Sequence, residues 1–282
     1  MPNAVKARAA EGDRAPGLID NSAVFATHFH FASAASLKFA GSPADAEFVD
    51  GPVMGDMGLA ITNQFSVGLW VKWNETPNTF QGIANATSSW QGLNDGWGLY
   101  WSDNGFPEVT FFVNQWNGNF ALATADDANA WNFMVGVYDG TLGSDNIKLY
   151  INGVVGATTD DFTGTVTQPA KVQLGQTAND MTAAVATDWA VGNLDELGLW
   201  NTALSSDAIT TLYNNGAPTN LIVNSGDYMA SGNLGLWWRC GEALDSNTQF
   251  GINDRSVFGN SNPGTMIAME DEDIDTVDFA GA

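Results

Sequence analysis

Between Trp131 and Val155 the chain alternates apolar and polar positions with a period of two. Phe133, Val135 and Val137 alternate with Met134, Gly136 and Tyr138, and Ile147, Leu149 and Ile151 alternate with Lys148 and Tyr150. That period is the one half-buried strands require, because successive side chains point to opposite faces. The connector Asp139 to Asn146 holds two glycines, two aspartates and an asparagine, residues suited to turns. Asn152-Gly153 then signals a type I′ hairpin turn into Val154 and Val155. A meander of three antiparallel strands is predicted.

The same alternation recurs elsewhere. Phe65, Val67, Leu69, Val71 and Trp73 share one face of a strand over residues 61–74. Trp97, Leu99 and Trp101 do so over 96–103, and Val109, Phe111 and Val113 over 107–114, with Asp103-Asn104-Gly105 turning between them. Leu234, Leu236 and Trp238 read as one face of a further strand, with Trp237 and Arg239 on the other. One short helix is predicted after Ser205, which can cap it; Asp207 suits its positive end, Ile209, Leu212 and Tyr213 form its apolar stripe, and Gly216 and Pro218 stop it. The fold class is all-β.

Three pieces carry a family resemblance: Ser36-Leu-Lys-Phe-Ala-Gly41, the central stretch ending Lys148-Leu-Tyr-Ile-Asn-Gly153, and Gly192-Asn-Leu-Asp-Glu-Leu-Gly-Leu-Trp-Asn-Thr-Ala-Leu-Ser205. In this order they resemble laminin G-like domains of the concanavalin A-like lectin and glucanase superfamily. The resemblance implies an antiparallel β-sandwich, or jelly roll, over residues 36–217, with an N-terminal arm over 1–35 and a C-terminal extension over 218–282 that adds a strand to the sandwich. The segment Gly232-Asn-Leu-Gly-Leu-Trp-Trp-Arg239, with Asn253-Asp254 and Ser261 to Met266, is similar to one that follows such domains in structural proteins of tailed, especially marine, phages.

Charge narrows the partners. Nine basic residues against 32 acidic ones give a net charge of −23, which disfavours nucleic acid and anionic membranes. A single cysteine, Cys240, excludes an intrachain disulfide. The first residues lack the apolar core of a secretory signal, and no apolar run is long enough to span a bilayer. With the phage-like segment, this leads to the expectation of a virion surface protein, made in the host cytoplasm, that decorates or cements a capsid or forms part of a fibre. Lys6, Arg8, Arg14 and Lys38 place four of the nine bases in residues 1–40, whereas Glu270 to Asp278 carries six carboxylates. Tails of opposite charge lead to the expectation of a homo-oligomer, a trimer in particular, whose N-terminal arm contacts a neighbouring chain or other virion proteins; the acidic run is otherwise a solvated segment.

Candidate chemistry is of three kinds. Glycan binding needs flat aromatic surfaces with planar polar groups beside them. Trp90, Asn94, Asp95, Asp103, Asn104, Asn114, Trp116 and Asn117 supply both, while Trp97 and Trp101, which share a face with Leu99, belong to the core. Tyr100 lies in the same strand-loop region. For metal, the resemblance implies a structural calcium held by Asp195 with backbone carbonyls near Gly41 or Gly51, although Ala40 replaces an aspartate usual in the family; Asp195 reads equally as the cap of a strand end. His28 and His30 share a strand face with no third ligand nearby. For catalysis, the superfamily's retaining hydrolases place carboxylates at alternate strand positions, and that motif is absent: Asp195 and Glu196 are adjacent and point to opposite faces of a regular strand. The leading expectation is a non-enzymatic virion protein that binds host glycan, with a cellular carbohydrate-binding module and a diverged glycoside hydrolase as alternatives.

Overall fold

The structure is a computed structural model and describes residues 35–41, 47–57, 61, 63–73, 81–88, 95–103, 107–114, 120–124, 129–159, 162, 164–167, 170–177, 189–240, 251–256 and 262–281. Expectations for residues 1–34, including His28 and His30, lie outside the described residues. The strands are β1 (Ser36–Ala40), β2 (Phe48–Val53), β3 (Gln64–Lys72), β4 (Gln81–Ala86), β5 (Trp97–Asp103), β6 (Pro107–Val113), β7 (Phe120–Thr124) and β8 (Asn132–Asp139). They continue as β9 (Ile147–Ile151), β10 (Val154–Thr159), β11 (Lys171–Leu174), β12 (Val191–Trp200), β13 (Leu234–Trp238), β14 (Gly251–Ile252), β15 (Gly264–Ile267) and β16 (Ile274–Asp275). Among the described residues a single α-helix, α1 (Ser206–Tyr213), follows β12.

The meander is β8, β9 and β10, paired antiparallel as the alternation predicts. Asn152 (φ 52°) and Gly153 (φ 80°) are both left-handed, as a type I′ turn demands. The Asn152 side chain accepts the Phe133 N–H at 2.9 Å and so ties the turn to β8. Two eight-stranded sheets result. The first runs β10-β9-β8-β3-β12-β1-β16, with β13 also on β12, and the second runs β14-β15-β2-β11-β4-β5-β6-β7.

Between the sheets lies the main core, where Phe65, Val67, Leu69, Val71 and Trp73 of one face of β3 and the following residue meet Trp97, Leu99, Trp101, Val109 and Phe111. Phe65 stands 6.3 Å from Trp97, 6.0 Å from Phe111 and 5.9 Å from Tyr138, ring centre to ring centre. Alternation predicts that Phe133, Val135 and Val137 form the one buried face of β8. They are buried, but in a second cluster with Trp70, Trp200, Ile209, Leu212, Leu221, Tyr228 and Trp237, while Met134 and Tyr138 on the opposite face join the main core, so β8 has no solvent face. The cover is α1 and the segment after it, so the first sheet is apolar on both faces. Ser205 caps α1 by accepting the Ala208 N–H at 3.2 Å. Asn214, in the left-handed region at φ 45°, ends the helix one residue after Tyr213, ahead of the predicted stop at Gly216. Asparagine tolerates that conformation because its short side chain can bond locally.

The described residues after 217 supply four strands: β13 and β16 to the first sheet, β14 and β15 to the second. Strand β12 is long enough to pair with β1 through Val191–Leu194 and with β13 through Leu197–Trp200. A register shift between Leu199 and Trp200 sends Leu234 to the second cluster with Trp237, whereas Leu236 and Trp238 face the main core. Simple alternation placed Leu234 with Leu236; the bulge is the reason it differs. Trp238 is fully buried and donates to the Asn262 carbonyl at 2.8 Å. Its ring lies so close to Gly51 that a Cβ there would meet it at 2.4 Å, so this position of β2 has room for the Trp238 ring only as a glycine.

Candidate functional site

Strand β4 ends at Ala86, β5 begins at Trp97 and β6 ends at Val113, all at one end of the second sheet. Here the chain places Thr87 and Ser88 after β4, Asp95 and Gly96 before β5, and Asn114 after β6. Asp95 Oδ1 accepts the Thr87 hydroxyl at 2.9 Å and the Ser88 N–H at 2.8 Å, and its Oδ2 accepts the Ser88 hydroxyl. Asn114 is left-handed at φ 57°, and its N–H donates to the Gly96 carbonyl at 2.8 Å. Its Oδ1 accepts from Thr167 N at 2.9 Å and Thr167 Oγ1 at 3.1 Å, while Nδ2 donates to the Thr165 carbonyl at 3.0 Å. The Gly96 N–H donates to Thr167 Oγ1 at 3.3 Å, which closes the network.

The result is a half-buried carboxylate and a half-buried amide, both held in fixed planes beside the exposed Thr167. Planar groups oriented in this way are what recognition of sugar hydroxyls requires. The segments 89–94 and 115–119 start and finish at this same end. They carry Trp90, Asn94, Trp116 and Asn117, which lie outside the described residues. Asp103 belongs to the opposite end of β5, where it pairs with Pro107, about 20 Å away along a seven-residue strand. Asn104 itself is outside the described residues. The structure therefore brings Asp95 and Asn114 together and sets Asp103 apart.

Trp97 and Trp101 are fully buried, in agreement with their place beside Leu99. Tyr100 is fully buried as well; it stacks on Phe112 at 5.3 Å and donates to the Thr177 carbonyl at 2.8 Å. Burial and the nearby Asp95 charge push its hydroxyl well above the ordinary tyrosine range.

Asp195 and Glu196 sit where β12 bulges against β3, between the stretches that pair with β1 and with β13. Glu196 is left-handed at φ 53°; its Oε2 accepts the Trp237 indole N–H at 2.6 Å and its Oε1 the Arg239 Nε at 3.0 Å. Asp195 is 0% exposed, its Oδ1 accepting the Glu196 N–H at 2.8 Å and its Oδ2 the Ala280 N–H at 3.4 Å. A calcium ion needs six to eight oxygen ligands converging on it. Among the described residues no three His, Cys, Asp or Glu side chains gather to hold a metal, and both Asp195 oxygens already face amide hydrogens. The described residues around Asp195 do not fit the calcium site that the resemblance implied.

A family model for laminin G-like domains, described as the concanavalin A-like lectin/glucanases superfamily, matches residues 50–210. The chain belongs to this superfamily. Among solved structures, it is similar to a carbohydrate binding protein from Bacteroides ovatus, so described provisionally, with a TM-score of 0.58 at 12% identity over 83% of this chain. The chain spans 58% of that protein's length. It is also similar to the heptameric SAP-like pentraxin of Limulus polyphemus (TM-score 0.47, 16% identity, 64% of this chain and 82% of that one). A third likeness is to the CBM40 of Ruminococcus gnavus IT-sialidase (TM-score 0.47, 15% identity, 63% and 96%). Comparison with curated protein sequences finds no match. At 12% identity the likeness to the Bacteroides ovatus protein speaks for the fold alone.

Proposed function

We propose that this protein is a non-catalytic carbohydrate-binding sandwich whose ligand site is the end of the second sheet around Asp95 and Asn114. The observation that carries the reading is the network that fixes this carboxylate and amide at the end from which the segments holding Trp90 and Trp116 depart. Tryptophan supplies an apolar platform for a sugar ring, and Asp95 and Asn114 supply orientation. Binding is favoured over hydrolysis because Asp195 and Glu196 are both buried and hydrogen-bonded within the fold. A net charge of −23 repels anionic sugars, so the ligand is a neutral or amino sugar. A glycan array probed with the purified protein tests this: binding to neutral oligosaccharides, lost in Trp90→Ala or Trp116→Ala, is expected, and an array with no glycan above background overturns it.

The setting we propose, a virion surface, rests on the likeness of Gly232 to Arg239 and the segments after it to phage structural proteins. Mass spectrometry of purified particles decides it, since absence of the chain from them removes that setting and leaves a cellular binding module.

A further inference from the structure

The six carboxylates between Glu270 and Asp278 read as a solvated run or as a receptor for a basic arm. In the fold the last of them are occupied within their own chain. Ile274 and Asp275 pair with Leu37 and Ser36 as β16 on the edge of the first sheet. Asp275 Oδ1 accepts the N–H groups of Val277 and Asp278, both at 2.9 Å, and so folds the chain back on itself. Asn193 Nδ2 reaches the Ser36 hydroxyl at 2.9 Å and Asp275 Oδ2 at 3.2 Å, and Ser36 Oγ donates to the Asp278 carbonyl at 2.6 Å. The Asp278 carboxylate pairs with Lys72 and accepts the Trp131 indole N–H at 3.0 Å. Two residues on, Ala280 is fully buried in the second cluster, and its N–H points at Asp195 Oδ2.

The segment 274–281 thus crosses β1, the end of β3, the start of β8 and β12, and ends on the one carboxylate that the family resemblance assigned to a cation. An amide N–H carries a partial positive charge; set against a buried carboxylate it stabilises the ionised form. A cation in its place would have to displace Ala280 from the second core.

We propose that segment 274–281 is a built-in strap that takes the place of a divalent cation at Asp195, so that the β12 bulge is stabilised by the chain itself. The fold is then indifferent to calcium and dependent on the strap.

Three measurements on the full chain and its variants test this. Thermal unfolding of the full chain is expected to give one melting temperature in chelator and in excess calcium. Asp195→Asn, which turns an acceptor into a donor facing Ala280 N–H, is expected to lower it equally in both. A chain ending at Asp273 is expected to melt lower than either. Should that chain fail to fold, hydrogen exchange of the full-length protein still decides: the Ala280 amide is expected to be protected, and equally so with chelator. A melting temperature that falls in chelator for the full chain but not for Asp195→Asn would overturn the proposal, as would an unchanged melting temperature without the strap or an Ala280 amide exchanging at the rate of an exposed peptide.

Discussion

The indole N–H of Trp237 donates to Glu196 Oε2 at 2.6 Å, while Arg239 reaches Oε1 of the same carboxylate at 3.0 Å. The guanidinium also lies 5.4 Å from the centre of the Trp237 ring. Glu196 is only 3% exposed, and two residues of the segment after residue 217 supply it with a hydrogen bond and a cation. The pair joins β13 to β12 at the bulge, and neither strand can leave without stranding a buried charge.

Breaking the pair is therefore costly. Arg239→Met is expected to destabilise the fold by about 3–5 kcal/mol, because it leaves a buried carboxylate without its cation. Trp237→Phe keeps an aromatic ring but removes the indole donor and part of the buried ring volume, and is expected to cost at least about 1–3 kcal/mol. Urea unfolding midpoints measure both. Equal midpoints for wild type and Arg239→Met would show that Glu196 is satisfied by other means.

Cys240 follows directly, buried beside this pair. Burial, then the charges of Asp195 and Glu196, push its thiol well above the ordinary cysteine range. The thiolate is the reactive form. Native protein at mildly alkaline pH is expected to resist a thiol reagent until it unfolds, and rapid stoichiometric labelling of the native state would contradict the burial.

Acid acts on the strap. Burial raises the Asp275 carboxyl, but the N–H groups of Asp278 and Val277, the Asn193 amide and nearby Lys38 outweigh it and hold its pKa below the ordinary value. A carboxylate lowered in the folded state adds stability that is complete above its unfolded pKa, about 3.9, and is lost as pH falls through the folded one. The melting temperatures of wild type and Asp275→Asn are expected to differ at neutral pH and to converge below about pH 4. A constant offset across that range would assign the effect to packing.

Much of this was legible in the chain. The meander, β3, β5, β6 and α1 show strong alternation or clear caps, and they occur close to where those patterns place them. Strand β4, Gln-Gly-Ile-Ala-Asn-Ala, is buried throughout and made largely of small residues, so it lacks the apolar contrast that periodicity needs. Strands β14 and β16 have two residues each, too few to show any period. At the site, Asp95 and Asn114 stand out as polar residues beside strand ends. Thr167 does not, because it meets Asn114 across 53 residues of sequence through a loop without pattern. Thr87, Ser88 and Thr165 were missed for the same reason; only the tendency of such residues to bond nearby backbone marks them at all.

Tryptophans separate the site from the core. Trp70 is 2% and Trp200 0% exposed, and either changed to alanine is expected to destabilise the fold by about 3–5 kcal/mol. Trp90→Ala and Trp116→Ala are expected to leave the unfolding midpoint near wild type while weakening sugar binding. If all four unfold the protein alike, the aromatic platform belongs to the core.

Hydrogen exchange of the protein with and without a bound neutral oligosaccharide tests the site itself. Binding at the Asp95–Asn114 end predicts slowed exchange at residues 87–96 and 113–119, with the turn from Asp103 to Pro107 unchanged. Slowed exchange confined to that turn, or no change at Asp95 and Asn114 when the sugar is saturating, would contradict the account.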